Sequence, residues 1–279
     1  MLTREQIKQY QEQGFVVLNE IIEPSMLSKL KESAANIVEQ WRDDHASHTF
    51  TTKHNNRSGD DHFLDSAEQI QCFFEEEAFD AEGKLVQERE LCINKIGHAL
   101  HELDPVFEQF SHLPLLGEIA ADVGLQQPQI RQSMYIFKQP RIGGVVNWHQ
   151  DATFFYTSPQ SVVTFWFAIE DATLENGCLW VERGGHRGPL RERFNLDGRT
   201  TSMVKLDDTP WPTEQTSQSV EVKAGSLVVF QGRLPHYSAP NRSSKSRQAY
   251  TLHVTDGCSE YAKENWLHPK ALALRGFNR

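Results

Sequence analysis

The second half of the chain alternates short β-rich runs with turns, and this pattern limits the fold more than any other feature. Most of these runs are rich in β-branched and aromatic residues and border a Gly, Pro or Ser. The runs are Ile130–Gln139, Val162–Ile169, Cys178–Glu182, Ser219–Lys223, Ser226–Gln231 and Arg247–Val254. Strands at this spacing predict a double-sheet jelly roll or barrel, whose mouth can hold one small ligand.

The first 128 residues carry mainly helical patterns. Gly14 can end the first helix, and a short buried strand, Phe15–Leu18, follows it. Another strand is expected around Ile70–Phe74. Helices are predicted from Thr3 to Gln13, from Glu23 onwards, from Ile93 to His101 and from Leu115 to Val123. The stretch from Thr200 to Gln218 is polar and contains two prolines, so a long loop is expected there.

Residues Asp43 to Asp61 form a long polar stretch that contains several histidines and acidic residues. These residue types can bind metal, but they show no fixed ligand spacing, so a solvated loop is the favoured interpretation. A loop of this length in a compact domain is often a lid, and we expect it to cover the substrate entrance. No clean linker divides the chain, so one domain is expected over residues 1–279. It would comprise a helical N-terminal part with the lid (1–128), a β core (129–256) and a C-terminal extension (257–279).

The motif His149-Gln150-Asp151 is the only His-x-Asp in the sequence. Residues two apart on a strand point to the same side, so this histidine and this carboxylate can bind the same metal ion. A second histidine would complete a 2-His-1-carboxylate triad, which leaves positions open on iron(II) for a co-substrate and oxygen. His236, in Leu234-Pro235-His236, is the candidate third ligand. Because the chain has 12 histidines, the triplet alone is weak evidence.

Arg247 strengthens the case for a metal site. It follows His236 by 11 residues and begins a stretch with strand-like alternation. An arginine can present its planar fork to a carboxylate. A 2-oxo diacid needs these two anchors, since its keto-acid end chelates iron and its far carboxylate pairs with a guanidinium.

Composition excludes several classes of function. The net charge of −10 and the pI of about 5.6 argue against a nucleic-acid or anionic-membrane surface as the main purpose. The four cysteines are scattered without a Cys-x-x-Cys pair, so reduced thiols in a cytoplasmic setting are expected. There is no run of about 18 apolar residues and no apolar signal core at the start, so no membrane span is expected. The oligomeric state is not specified by these patterns.

Longer motifs give a more specific indication than the triplet. Several runs, spread over most of the chain, resemble the phytanoyl-CoA dioxygenase family of iron(II)- and 2-oxoglutarate-dependent oxygenases. They are Gln11–Leu18, Ile93–His101, Gln132–Pro140, His149–Ala152, Glu170–Trp180, Ser246–Thr251 and Glu264–Leu267.

The resemblance implies a mainly β fold with flanking helices (α+β), built on a double-stranded β-helix core. It implies iron held by His149, Asp151 and His236, with 2-oxoglutarate and oxygen as co-substrates for the hydroxylation of a small molecule. The side chains expected around the co-substrate are Lys95, Met134, His149, Asp151, Trp166 and Arg247. Without the family, the ordinary interpretation is a solvent-facing helix lysine for Lys95 and core packing for Met134 and Trp166.

Two alternatives remain open in the sequence. One is a cupin-like metal protein that uses no 2-oxo acid, in which Arg247 would have no carboxylate partner. The other is a binding module that keeps the fold without catalysis. One departure from the family pattern occurs at Glu182-Arg183-Gly184-Gly185-His186, where many relatives have Pro-Gly-Ser-His. There a hydrogen-bonded turn is the favoured role for His186. Nothing in the chain indicates a CoA-binding motif, so the substrate stays unspecified.

Overall fold

The computed structural model describes residues 1–42, 48–49 and 61–277. The expected lid, Asp43 to Asp61, falls almost entirely outside these residues. Six α-helices lie in the described ranges: α1 Arg4–Gln13, α2 Pro24–Gln40, α3 Asp61–Asp65, α4 Leu100–Leu103, α5 Pro105–Ser111 and α6 Pro114–Asp122. Thr3 begins α1 with a capping box, and Gly14 ends it in the left-handed conformation (φ 87°), as the sequence predicted.

The strands build four antiparallel sheets. In chain order they are β1 Phe15–Leu18, β2 Ile70–Phe74, β3 Ile93–His98, β4 Pro128–Ile136, β5 Val146–His149, β6 Thr157–Ser158, β7 Val163–Ala168, β8 Leu179–Val181, β9 Glu192–Asp197, β10 Thr200–Lys205, β11 Gln218–Val220, β12 Leu227–Gln231, β13 His236–Ser238, β14 Ala249–Asp256 and β15 Glu260–Tyr261. Seven strands form the major sheet, in the order β1-β12-β7-β14-β4-β3-β2, and four form the minor sheet, β11-β8-β13-β5. Two short pairs, β10-β9 and β15-β6, complete the set.

The major and minor sheets face each other across a buried apolar layer. Trp166 and Val228 of the major sheet share this layer with Leu179 and Val181 of the minor sheet. The opposite face of the major sheet packs on the helices, for example where the ring of Phe167 meets Phe110 of α5 at 4.9 Å between centroids. Alternate residues of each strand therefore serve two different layers. This double-sheet arrangement is the predicted jelly roll, so the predicted fold class is confirmed.

The prediction of a helix over Ile93–His101 is wrong. Residues Ile93–His98 form β3, which lies between β2 and β4 in the major sheet, and only Leu100–Leu103 is helical. The β-branched Ile93 and Ile96, and the Gly97 that follows them, favour a strand over a helix interior. Pairing with two neighbouring strands then decides the conformation.

The prediction of one long loop from Thr200 to Gln218 is also wrong in part. Thr200–Lys205 is β10, which pairs with β9 in a hairpin whose two-residue turn is Gly198-Arg199. Gly198 has φ 63°, a conformation that glycine at the first central position of a two-residue turn adopts without strain. This glycine was the available signal for the hairpin.

The major sheet draws strands from the first 128 residues as well as from residues 129–256. β1 pairs with β12, and β3 pairs with β4, so the N-terminal part contributes to both ends of the sheet. None of the helices in the described ranges combines the length and the apolar composition that crossing a bilayer requires.

Candidate metal centre

The His-x-Asp motif lies where a strand of the minor sheet ends. His149 is the last residue of β5, and Asp151 begins a short 3-10 turn. The intervening Gln150 is fully buried, and its amide donates to the carbonyls of Pro189 and Arg233. These bonds tie the motif to two neighbouring loops, so the backbone between the histidine and the aspartate is fixed.

His236 completes the cluster from the neighbouring strand. It begins β13 and pairs in register with His149 of β5. The Nε2 atoms of His149 and His236 lie 3.6 and 3.7 Å from Oδ1 of Asp151. Ligand atoms of all three residues lie within 4.8 Å of one another. Within the described residues, this is the one group of three or more His, Cys, Asp or Glu side chains that meets this criterion.

Backbone hydrogen bonds orient both imidazole rings. Nδ1 of His149 lies 2.8 Å from the carbonyl of Asn147, and Nδ1 of His236 lies 3.0 Å from that of Leu234. A carbonyl only accepts, so Nδ1 carries the proton in each ring and Nε2 keeps its lone pair. Both lone pairs are therefore available to a cation beside Asp151.

The charge states also suit a divalent metal. Burial, with the neighbouring His236, lowers the pKa of His149 to about 3, so this ring is neutral near neutral pH. Burial opposes ionisation of Asp151, but His236 and His253 outweigh it and hold the pKa of that carboxyl well below its usual range. The imidazoles of His149 and His236 and the carboxylate of Asp151 form the donor set of a facial triad, which fits iron(II).

Two residues that the sequence did not single out hold the other oxygen of Asp151. Thr164 of β7 donates its hydroxyl to Oδ2 at 2.5 Å, and Nε2 of His253 in β14 lies 3.4 Å from the same atom. The sequence signal that could have identified both residues was the alternation of side chains between the two faces of a strand. Thr164 shares a strand face with Trp166, and His253 shares one with Arg247.

Arg247 is placed two residues before β14 and is 2% exposed. Its Nε donates to the carbonyl of Gly177 at 3.1 Å, and its Nη2 donates to Oγ of Ser238 at 3.0 Å. Its Nη1 is buried without a hydrogen-bond partner among the described residues. Burial lowers the pKa of Arg247 to about 10, so the guanidinium remains charged at neutral pH. A buried cationic donor without an acceptor is costly, and an anionic ligand would satisfy it.

The remaining co-substrate residues predicted from the resemblance line the same cavity. Lys95 of β3 and Met134 of β4 lie on adjacent strands, with Nζ 3.9 Å from Sδ. Lys95 is buried on a strand, so the interpretation as a solvent-facing helix lysine is wrong. The ring centroid of Trp166 lies 5.4 Å from the guanidinium carbon of Arg247. The cavity has a volume of about 530 Å³ and also contains all three residues of the cluster.

Aromatic rings form another wall of this cavity. They follow one another from the metal cluster outwards, with centroid distances of 6.5 Å from His149 to Phe154 and 5.6 Å from Phe154 to Phe194. The series continues to Phe63 at 6.5 Å, and Phe63 stacks on Trp266 at 4.5 Å. This aromatic wall comes from four separate parts of the chain, which sequence spacing could not bring together.

Two histidines outside the metal cluster, His186 and His101, make local structural contacts. His186 does not line the cavity; its Nε2 lies 3.2 Å from the carbonyl of Gln11 in α1, the hydrogen-bonded turn role that the sequence favoured. His101 lies in the short helix α4, with Nδ1 2.9 Å from Oγ of Ser133.

The chain is similar to known proteins over most of its length. The sequence profile of the phytanoyl-CoA dioxygenase (PhyH) family matches residues 10–249. A phytanoyl-CoA dioxygenase of Arabidopsis thaliana is 43% identical over 270 residues, covering 95% of this chain and 93% of the relative. Phytanoyl-CoA dioxygenase domain-containing protein 1 of Mus musculus is 39% identical over 279 residues, covering 96% and 95%.

A solved structure shares the fold at low sequence identity. The epimerase SnoN, in complex with Fe3+, alpha ketoglutarate and nogalamycin RO, superposes with a TM-score of 0.64 at 13% identity. The match covers 99% of this chain and 94% of that one. The family profile and the two relatives each span most of the chain, so this protein belongs to the phytanoyl-CoA dioxygenase family.

Proposed function

We propose that this dioxygenase binds iron(II) through Nε2 of His149, Oδ1 of Asp151 and Nε2 of His236, and uses 2-oxoglutarate and oxygen to hydroxylate a small organic substrate. The observation that carries the proposal is the unpartnered Nη1 of Arg247, a residue that lines the same cavity as the three ligands. A metal cluster alone fits many proteins. A metal cluster with a buried, unsatisfied guanidinium beside it fits a dianionic co-substrate.

Each side chain has a defined task in this proposal. When bound, iron and 2-oxoglutarate supply the oxidative chemistry, in which decarboxylation gives succinate and CO2 and a substrate C–H bond is hydroxylated. Arg247 binds the distal carboxylate of the co-substrate, and Gly177 and Ser238 hold the guanidinium in place. Lys95, Met134 and Trp166 form the surrounding wall, which excludes water from the reacting groups.

A cupin-like protein without a 2-oxo acid is the weaker alternative. In that case Arg247 would remain buried with an unsatisfied donor, which costs free energy and has no compensating role. A non-catalytic binding module would have no need of two imidazoles and an ionised carboxylate turned towards one point.

The class of substrate is also a proposal. The Arabidopsis relative is named a phytanoyl-CoA dioxygenase, so a branched acyl-CoA is the first substrate to test. The wall of Phe154, Phe194, Phe63 and Trp266 offers apolar surface to an alkyl or aromatic body beside the metal cluster.

The cellular setting and the domain organisation are also proposals. A cytoplasmic location is supported by the four cysteines, all of which are free thiols. A single domain over residues 1–279 is supported by the strands that its N-terminal part contributes to the major sheet. The net charge of −10 supports small-molecule partners over nucleic acid.

The test is succinate formation from 2-oxoglutarate by iron(II)-loaded protein under air, with and without phytanoyl-CoA. We expect succinate from the wild type and none above background from Asp151→Ala, because the variant lacks the charged ligand. Stimulation by phytanoyl-CoA would support the acyl-CoA substrate. Equal succinate formation by Asp151→Ala and wild type would contradict the ligand assignment.

A further inference from the structure

The two oxygens of the Asp151 carboxylate have different surroundings. Oδ1 faces the Nε2 atoms of His149 and His236 at 3.6 and 3.7 Å. Oδ2 accepts a hydrogen bond from the hydroxyl of Thr164 at 2.5 Å and lies 3.4 Å from Nε2 of His253. One oxygen is therefore directed to the metal position, and protein side chains occupy the other.

The side chains at Oδ2 are held rigidly by the major sheet. Thr164 of β7 and His253 of β14 are cross-strand partners in register, and both are buried. The ring of His253 also stacks on Phe155, with centroids 5.0 Å apart and planes 24° apart. Two adjacent central strands thus present a fixed pair of polar groups to one carboxylate oxygen.

The protonation of His253 follows from its surroundings. Its Nδ1 is buried and has no hydrogen-bond partner in the described part of the chain. A proton on Nδ1 would therefore lack an acceptor, so the neutral ring carries its proton on Nε2, which faces Oδ2. Thr164 and His253 consequently both present hydrogens to the same oxygen.

We propose that Thr164 and His253 are positioning residues that hold Oδ2 of Asp151, so that the carboxylate meets the metal through Oδ1 alone. This inference rests on the proposed function, because it assumes that Asp151 is a metal ligand. A carboxylate released from these contacts can turn about its Cβ–Cγ bond and bind through both oxygens. It would then occupy a position that the triad leaves open for 2-oxoglutarate or oxygen.

The experiment measures the iron(II) dissociation constant of the full chain under anaerobic conditions. Thr164→Val keeps the shape of the side chain but removes the hydroxyl, and Thr164→Ser keeps the hydroxyl. We expect Thr164→Val to bind iron(II) roughly 10–100-fold more weakly, as is typical when a partner of a metal ligand is lost, and Thr164→Ser to stay within about threefold of wild type. Thr201→Val is the matched control, because the buried hydroxyl of Thr201 in β10 has no hydrogen-bond partner among the described residues and Thr201 is not among the residues that line the cavity. This variant should leave the constant unchanged.

A second variant and a second readout separate positioning from a structural role. His253→Phe keeps a ring that can stack on Phe155 but loses the N–H, and we expect iron(II) affinity to fall by about 3–10-fold. With Co(II) in place of iron, the visible spectrum reports the ligand number, and we expect it to change in Thr164→Val and not in Thr164→Ser. The melting temperature of the metal-free protein should be similar in these two variants.

Each outcome decides a different claim. If the wild type binds no iron(II), the proposed function fails. If the wild type binds iron(II) and Thr164→Val binds it equally well with an unchanged Co(II) spectrum, only the positioning inference is overturned. Equal losses in Thr164→Val, Thr164→Ser and Thr201→Val would also overturn the inference, because they would indicate a general packing effect.

Discussion

Replacement of Arg247 by methionine gives a quantitative prediction for co-substrate binding. In the structure, Gly177 and Ser238 occupy Nε and one hydrogen of Nη2, which leaves Nη1 for a ligand. A hydrogen bond to a charged group contributes about 1.5–3 kcal/mol. This free energy corresponds to a 2-oxoglutarate dissociation constant that is roughly 10–150-fold higher in Arg247→Met, since each 1.4 kcal/mol is a factor of ten.

The assay is an anaerobic titration of iron(II)-loaded protein with two ligands. 2-Oxopentanoate has the carbon chain of 2-oxoglutarate but lacks the distal carboxylate, so its affinity should change little in Arg247→Met. The difference between the two ligands isolates the contact between the guanidinium and the carboxylate from any local rearrangement. Arg247→Lys keeps the charge without the planar fork and should fall between wild type and Arg247→Met. If Arg247→Met weakened both ligands equally, or neither, the proposed role of Arg247 would be refuted.

Two further predictions concern the surroundings of the site. Gly177→Ala should lower the free energy of unfolding by about 1–3 kcal/mol, because Gly177 has φ 84° and an added Cβ would lie 2.5 Å from the carbonyl oxygen of Ala239. It should also weaken 2-oxoglutarate binding, since the carbonyl of Gly177 orients Arg247. Chemical denaturation checks the stability and a 2-oxoglutarate titration checks the binding. Unchanged stability would contradict the strain argument. His101 has its pKa lowered to about 3 by burial and by the nearby His112, so the folded state keeps it neutral while the unfolded chain takes up a proton below about 6.5. The free energy of unfolding of metal-free protein should therefore decline as the pH falls from about 6.5 to 3, and this group contributes up to about 1.4 kcal/mol per pH unit. Denaturation of His101→Gln should show a shallower decline. An equal dependence of unfolding free energy on pH in wild type and His101→Gln would contradict this prediction.

The fold and the metal cluster could be predicted from local patterns for physical reasons. The strands of residues 129–256 can be recognised from β-branched residues separated by turns. The alternation of buried and exposed side chains along each strand then limits how the strands can pair. His149 and Asp151 are neighbours in sequence, so one motif brings two ligands together. His236 and Arg247 are distant from them in sequence, so residue type and spacing made them only candidates, and the resemblance to a family made their assignment specific.

Other features depend on contacts that no local pattern contains. The β-branched residues and the glycine of Ile93–His98 are only a weak local signal, and its place between β2 and β4 makes it a strand. The contacts of Thr164 and His253 with Asp151 require that these two residues lie opposite each other on neighbouring strands. The surroundings of Arg247 likewise combine Gly177 from one turn with Ser238 from another strand. Such convergence is set by tertiary packing.

An anaerobic calorimetric titration of 2-oxoglutarate into the wild type and Asp151→Ala, each with and without iron(II), tests the site most directly. We expect one 2-oxoglutarate per chain in the wild type with iron(II), and much weaker binding without the metal. We expect weak binding in Asp151→Ala under both conditions, because the variant lacks the charged ligand. Binding of 2-oxoglutarate that is the same with and without iron(II) would contradict the claim that His149, Asp151, His236 and Arg247 form one oxygenase site.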